Sequence, residues 1–183
     1  IENLRNIEDI HNTLEPVYEA VTKIRSKLEA NITFIGFAGS PWTVSTYMIE
    51  GKGSKDHIKT KTFMLKYPEV FKKLIVKLQD ATIEYLSQQI KGGVDVIKLF
   101  DSWANSLPAT YIEKYSLEPM KIIAKEIKKR FPEIPIIVFP RGIGPMYKKF
   151  AMVKEFDCVA IDSSIDLDWA KKNIQKEKVI QGN

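Results

Sequence analysis

The sequence predicts an α/β protein built around a parallel β-sheet. Stretches with helical spacing of apolar residues alternate with short apolar runs along all 183 residues, and this order is typical of parallel strands joined by helices. The short runs are apolar at successive positions, as expected of strands that are covered on both faces. Periodicity alone fits both a doubly wound sheet and a (β/α)8 barrel, so both remain open at this point.

The helices follow from apolar residues spaced three or four positions apart, with Pro near their starts and Gly or Pro after their ends. The expected helices are Val17–Leu28 with Pro16 in its first turn, a long helix from Pro68 to Gly92, Met120–Phe131, and the shorter Pro145–Glu155 and Leu167–Ile174.

The strands follow from the apolar runs between these helices. They are expected at Ile32–Phe37, Val94–Phe100, Ile134–Phe139 and Cys158–Ile161, with the beginning of a last strand at Val179–Ile180. Gly36–Asp56 is expected to be a long loop, because it is rich in glycine and hydroxyl residues. A barrel usually takes about 250 residues, so we expect either an open sheet or part of a larger enzyme.

The composition of the chain indicates which classes of partner to expect. The formal net charge is +5, but only four of the 28 basic residues are Arg. Proteins that read nucleic acids rely on Arg, so we expect no nucleic-acid partner. No apolar run reaches the length of a membrane helix, so no membrane partner is expected. The single cysteine predicts no disulfide and is typical of a reducing cytoplasm, the expected location.

A polar cluster follows each predicted strand at its carboxyl end, where α/β folds collect ligand-binding groups. We therefore expect one shared cleft at this end of the sheet. The clusters are Gly36–Asp56, Asp101–Asn105, Arg141–Gly144 and Asp162–Ser164.

Common catalytic and metal-binding patterns are absent from the sequence. His11 and His57 lack metal-ligand spacing to each other or to Cys158, so we expect no metal site, two solvated histidines and a core cysteine. Tyr47 and Ser102 lie past strand ends, where packing is the simpler explanation of each. The tryptophans at positions 42 and 103 are expected to line an apolar pocket or to close one end of the sheet.

Five motifs, in order along the chain, carry a resemblance to one family. The longest is G-F-A-G-S-P-W-T-V-S-T-Y-M-I-E-G, which begins at Gly36. The sequence resembles the uroporphyrinogen decarboxylase family in this motif and in the shorter ones. The shorter motifs are Ile97–Trp103, Ile136–Phe139, Val159–Asp162 and Gln181–Asn183.

The resemblance implies a (β/α)8 TIM barrel, of which residues 1–183 form a single, incomplete domain with strands three to six and the start of strand seven. The family's N-terminal arginine motif, its strand-two catalytic aspartate and its C-terminal histidine element have no counterpart here, so we expect a central part of the enzyme.

The resemblance also places the catalytic carboxylate elsewhere. No catalytic residue is expected within the chain, because the family aspartate would lie upstream of Ile1. Asp101 and Asp162 lie at the corresponding end of the sheet, but the resemblance gives neither that role. Ser163 and Lys52 depart from the family pattern.

A function follows from the same resemblance. The parent enzyme would be a lyase of haem and porphyrin biosynthesis that decarboxylates the four acetate side chains of uroporphyrinogen III to give coproporphyrinogen III. It would use no metal and no organic cofactor, because a protonated pyrrole can accept the electrons beside a stabilising carboxylate. Tyr47 and Ser102 would bind the substrate, and Phe37 would pack on the macrocycle. Arg141 is a weaker candidate for an anion contact, and a homodimer is expected.

Two other interpretations remain open. The chain by itself could be an inactive barrel fragment, because the groups expected to perform the chemistry lie elsewhere. A zinc- and corrinoid-dependent methyltransferase of the same superfamily is the other alternative. Those enzymes bind zinc through His and Cys, and metal analysis of the whole protein distinguishes them.

Overall fold

A parallel five-stranded sheet organises the computed structural model, which describes Leu4 and residues 7–182. Each strand pairs with the next in the sequence, and the order never reverses within the described part of the chain. A doubly wound sheet contains such a reversal, whereas consecutive barrel strands do not. The α/β fold class is confirmed, and the strand order is that of a (β/α)8 barrel. The strands are β1 (Ile35–Gly39), β2 (Val96–Asp101), β3 (Ile136–Pro140), β4 (Cys158–Ala160) and β5 (Val179–Gln181).

Helices connect the strands and cover one face of the sheet. They are α1 (Glu8–Arg25), α2 (Pro41–Glu50), α3 (Ile58–Lys66), α4 (Pro68–Lys91), α5 (Ala109–Ile112), α6 (Glu118–Arg130), α7 (Tyr147–Ala151) and α8 (Leu167–Asn173). A π-helical turn, Glu113–Leu117, joins α5 to α6. Within the part of the chain that is described, no helix combines the length and the apolar character needed to cross a bilayer.

The expected long loop at Gly36–Asp56 is wrong, because its first residues complete β1 and its middle, Pro41–Glu50, is helix α2. Ser40 has an extended backbone before the helix, and Pro41 occupies its first turn. Gly51 ends the helix with a φ of 73°, a left-handed conformation that glycine adopts without a steric penalty. The start and stop signals of a helix were therefore present, and the many hydroxyl residues between them concealed it.

Two further helix boundaries also differ from the prediction. Helix α1 begins at Glu8, so Pro16 lies inside it instead of in its first turn. Proline has no N–H, and the helix therefore lacks one internal hydrogen bond at that position. Helix α7 is shorter than Pro145–Glu155, because a 3-10 turn precedes it and separate turns follow Ala151.

The two faces of the sheet have different environments. Side chains of Ala38, Ile97, Leu99, Val138 and Val159 point to the helices and are buried there. The alternate residues lie on the opposite face, here called the inner face, because successive side chains of a strand point in opposite directions. By register, the inner face consists of Ile35, Phe37, Gly39, Val96, Lys98, Phe100, Ile137, Phe139, Cys158, Ala160, Val179 and Gln181.

The outer strands β1 and β5 are the edges of the described sheet. On β1, the side-chain amide of Gln89 replaces a neighbouring strand at one residue: Phe37 N–H donates to Gln89 Oε1 at 3.0 Å, and Gln89 Nε2 donates to the Phe37 carbonyl at 3.0 Å. The edges nevertheless expose large apolar side chains, with Phe37 59% and Val179 67% accessible.

We expect the 183-residue chain, produced alone, to self-associate, because unpaired strand edges and exposed apolar side chains favour pairing with another molecule. Size-exclusion chromatography with light scattering measures this. Val179→Lys, which places a charge on one edge, should reduce the association. A monomer that melts cooperatively would contradict the expectation.

Candidate functional site

Asp101, at the end of β2, holds the first two loops of the site together. It is fully buried on the helix side of the sheet. Its carboxylate accepts hydrogen bonds from Thr43 Oγ1 at 2.6 Å and from Ser116 Oγ at 2.5 Å, and Thr43 Oγ1 in turn accepts from the backbone N–H of Trp103 at 3.2 Å. Burial raises the pKa of Asp101 despite these donors. Because this carboxylate points away from the inner face, its role is to fix α2 and the β2 loop.

Asp162, after β4, holds the next two loops. Its Oδ2 accepts from the backbone N–H of Gly142 at 2.7 Å and from the Tyr147 hydroxyl at 2.6 Å. Its Oδ1 accepts from both the N–H and the hydroxyl of Ser164. Partial burial alone would raise the pKa of Asp162, but the hydrogen bonds from Ser164, Tyr147 and Gly142 outweigh it and lower the pKa to about 2.

Backbone hydrogen bonds complete the connection between the loops. Ser40 N–H donates to the Phe100 carbonyl at 2.8 Å. Arg141 N–H donates to the Asp101 carbonyl at 3.1 Å, and the Arg141 carbonyl accepts from Asn105 N–H at 3.1 Å. The four polar clusters that the sequence indicated therefore lie side by side at the carboxyl edge of the sheet.

The three residues expected to bind a ligand belong to β1, to α2 and to the turn that follows β2. Phe37 is on the inner face, with its ring 5.8 Å from that of Phe100. Tyr47 lies on α2, is 49% accessible, and has its ring 6.4 Å from that of Trp103. Ser102 is half-buried directly before Trp103. Phe37 and Tyr47 thus each contact an aromatic residue in or just after β2, and the roles of all three residues remain predictions.

The catalytic aspartate is a separate case, because its expected place is upstream of Ile1. Ile1 itself lies outside the residues that the structure describes, so this expectation stays a prediction. The aspartates that the structure does place at the carboxyl edge, Asp101 and Asp162, both accept hydrogen bonds from neighbouring loops.

Lys98 and Gln181 form the floor of the cleft at this end of the sheet, and the sequence did not reveal this floor. Strand register places Phe100, Phe139 and Gln181 in one layer of the inner face, with Lys98 one layer below. The Lys98 ammonium nevertheless reaches the upper layer, because it lies 4.7 Å and 5.2 Å from the ring centres of Phe100 and Phe139. It donates to Gln181 Oε1 at 2.6 Å. Burial lowers the pKa of Lys98.

This floor opens into a cavity of about 430 Å³ between β2 and β5. Arg141 and Asp162 form its rim, and Lys98, Phe139 and Gln181 are among the residues beneath. The only sequence signal for the floor of this cavity was a single lysine within the apolar run of β2. The run by itself does not show which side chains contact that lysine.

Sequence comparison identifies the family. The family model described as "Uroporphyrinogen decarboxylase (URO-D)" matches residues 1–183. The chain belongs to the uroporphyrinogen decarboxylase family. Proteins named uroporphyrinogen decarboxylase are 47% identical to it in Jannaschia sp. (strain CCS1), 48% in Rhodobacter capsulatus and 46% in Paracoccus denitrificans (strain Pd 1222). These matches cover 98%, 100% and 95% of the chain but 52%, 54% and 51% of the relatives. The chain thus spans about half the length of the curated relatives that it matches.

The family motifs occupy defined places in this fold. The long motif that begins at Gly36 contains the end of β1, helix α2 and its glycine cap at Gly51. In the last motif, Gln181 ends β5 and supplies the acceptor for Lys98, whereas Asn183 lies outside the described residues. Ser163, one of the departures from the uroporphyrinogen decarboxylase pattern, is exposed at the cavity rim.

The expectation that His57 is solvated is wrong. Its side chain is only 2% accessible, and its ring centre lies 5.0 Å from that of Trp103. Its backbone φ is 50°, and its ring points inward while the neighbouring lysines stay exposed. The charged residues beside it in the sequence therefore gave no indication that its side chain is buried. Burial lowers the pKa of His57, and within the described region neither ring nitrogen has a hydrogen-bond partner.

Four other predicted side chains have mixed outcomes. Trp42 is fully buried, and its indole N–H donates to the Trp103 carbonyl at 2.9 Å, whereas Trp103 itself is half-buried. His11 is half-exposed near Glu84. Cys158 is half-buried on the inner face instead of in the core, because that face is only partly covered.

Over the residues described, no three His, Cys, Asp or Glu side chains are grouped as a metal site would require.

Asp162 should contribute stability that depends on pH. Its folded pKa is depressed, so the contribution is present above the ordinary value of 3.8 and is lost as the pH falls toward about 2. We expect the difference in unfolding free energy between the protein and Asp162→Asn, measured by urea denaturation, to shrink as the pH falls from about 6 to about 3.

Tyr147→Phe serves as the matched variant for this prediction. It removes one donor to Asp162, so the folded pKa of Asp162 should lie closer to 3.8, and the loss should be smaller and complete at a higher pH than in the parent protein. A difference between parent and Asp162→Asn that stays constant over the whole range would contradict the assignment.

Proposed function

We propose that the protein, at the full length of its relatives, decarboxylates the four acetate side chains of uroporphyrinogen III to give coproporphyrinogen III in haem biosynthesis. One observation carries the proposal beyond family membership. The inner face presents the rings of Phe37, Phe100 and Phe139 in a row, with Lys98 and Arg141 beside them. Apolar rings next to cations suit a flat macrocycle that carries carboxylates.

The proposed chemistry needs no organic cofactor or metal. A proton adds to the pyrrole α-carbon beside the ring carbon that bears the acetate arm, which gives a cationic ring conjugated with that arm. The bond between the acetate methylene and its carboxylate then breaks, carbon dioxide leaves, and the electron pair neutralises the ring. A proton then adds to the methylene carbon and the added ring proton leaves, so that a methyl group remains. A nearby carboxylate would stabilise the cationic intermediate.

Neither aspartate of this site suits that role. The carboxylate of Asp101 is buried on the helix side, and that of Asp162 already accepts from Gly142, Tyr147 and Ser164. We therefore propose that the stabilising carboxylate comes from sequence upstream of Ile1, and that these 183 residues alone do not turn over substrate.

Tyr47 and Ser102 have the placement that substrate contacts require. Tyr47 is an accessible side chain whose ring lies 6.4 Å from that of Trp103, and Ser102 lies between Trp103 and the end of β2. We assign Tyr47 a hydrogen bond near the reacting acetate, Ser102 a contact to a substrate carboxylate, and Phe37 a packing contact with the macrocycle. A cytoplasmic homodimer completes the proposal and rests on the family resemblance.

The activity is tested by incubating the full-length protein with uroporphyrinogen III without oxygen and separating the oxidised products by chromatography. We expect successive loss of carboxylates down to coproporphyrinogen III, with no loss of activity after dialysis against a chelator. Failure to consume uroporphyrinogen would overturn the proposal. Zinc that copurifies and is required for activity would favour the methyltransferase interpretation.

Tyr47→Phe should slow turnover of uroporphyrinogen III by about tenfold or more, since a hydrogen bond to a charged group contributes about 1.5–3 kcal/mol. The matched control is Tyr67→Phe, which removes the hydroxyl of a similarly accessible tyrosine outside the site. Equal kinetics of Tyr47→Phe and the parent protein would remove Tyr47 from the site.

A further inference from the structure

The cavity between β2 and β5 contains a lysine, Lys98, whose ammonium is held by three contacts. The ammonium of Lys98 lies over Phe100 and Phe139 and donates to Gln181 Oε1 at 2.6 Å. Attraction to the ring faces and the neutral amide together hold the charge where water is partly excluded. A cation held in this way interacts more strongly with an anion than a solvated surface lysine does.

This ammonium has no acidic partner among the described residues. It takes part in no ion pair, and its other near neighbour is the thiol of Cys158, whose pKa burial raises. Arg141, also at the cavity, likewise takes part in no ion pair among them. Asp162 is the acidic residue of the rim, and its oxygens accept hydrogen bonds from other partners.

We propose that this cavity is a carboxylate-binding subsite in which Lys98 and Arg141 together hold one side-chain carboxylate of the tetrapyrrole. This assignment rests on the proposed function, because it presumes a substrate that carries several carboxylates. Gln181 acts as the positioning residue that aims the ammonium. The acceptor is a carboxylate rather than a neutral group, since two cations and one already hydrogen-bonded carboxylate leave a positive charge to be compensated.

The location of the subsite determines which kinetic constant it controls. Tyr47 and Ser102 lie at the ends of β1 and β2, whereas this cavity extends across to β5. In this assignment, a carboxylate held there belongs to a different arm from the one that reacts beside Tyr47. Such a contact is the same in the ground state and the transition state, so it lowers KM and leaves kcat unchanged.

Lys98→Met tests the subsite in the full-length protein, because it removes the charge and keeps an unbranched side chain of similar length. We expect KM for uroporphyrinogen III to rise about tenfold, with kcat within about twofold. Lys98→Arg keeps the charge and should raise KM less. Lys72→Gln, which removes an exposed lysine of α4, controls for the general loss of positive charge. Melting temperatures measured on the same samples verify folding.

A KM for Lys98→Met within about twofold of the parent value, or a fall in kcat alone, overturns the subsite. A second measurement is independent of turnover. Lysines are methylated with ¹³C-formaldehyde, the Lys98 signal is assigned by its loss in Lys98→Arg, and benzene-1,3,5-tricarboxylate is added. A saturable shift of the Lys98 signal supports the subsite even if the protein does not consume uroporphyrinogen, in which case only the proposed function fails. No shift means that Lys98 is already paired or closed off, and the inference is then wrong.

Discussion

The buried carboxylate of Asp101 is the interaction on which the site depends. It lies at the last residue of β2 and accepts from the Thr43 and Ser116 hydroxyls, which belong to α2 and to the π-helical turn before α6. Burying such a group without partners would cost several kcal/mol, so the two donors must stay in place when the protein folds. They position α2, and through α2 they position Tyr47. The geometry of the ligand-facing residues is thus a consequence of a group that no ligand touches.

Because successive side chains of a strand point in opposite directions, one set packs in the core and the other faces the cleft. In β2, Ile97, Leu99 and Asp101 face the helices, whereas Lys98 and Phe100 face the inner side. A substitution on the first set therefore alters the core, and one on the second alters the cleft. This alternation explains how an apolar strand can place a charged side chain in the cleft without burying it in the helix layer.

The sequence allowed the order of the strands, their parallel pairing and the long helix α4 to be predicted, because Pro68 and Gly92 mark the helix ends and the strands are mostly apolar. The predicted Ile32–Phe37 was displaced, since β1 is Ile35–Gly39. The family motif predicted a site at the strand ends. Helix α2 was missed because hydroxyl residues are typical of loops, and here they serve as buried donors. Lys98 was missed for a different reason: its partner Gln181 is 83 residues away. Only the strand register brings the two together.

The two aspartates at this edge show how to separate scaffold groups from ligand groups. Burial raises the pKa of Asp101, while donated hydrogen bonds lower the pKa of Asp162, yet each carboxylate has its acceptor capacity used by the protein itself. Around the cleft, the Lys98 ammonium donates only to a neutral amide, and the Trp103 indole N–H is buried without an acceptor in the described region. The Ser40 hydroxyl and the His57 ring nitrogens, which can donate as well as accept, also lack partners there. A site whose acceptors are occupied and whose donors are free is complementary to a ligand rich in acceptors. Free donors and cations of this kind would suit the polycarboxylate that is proposed above as the substrate.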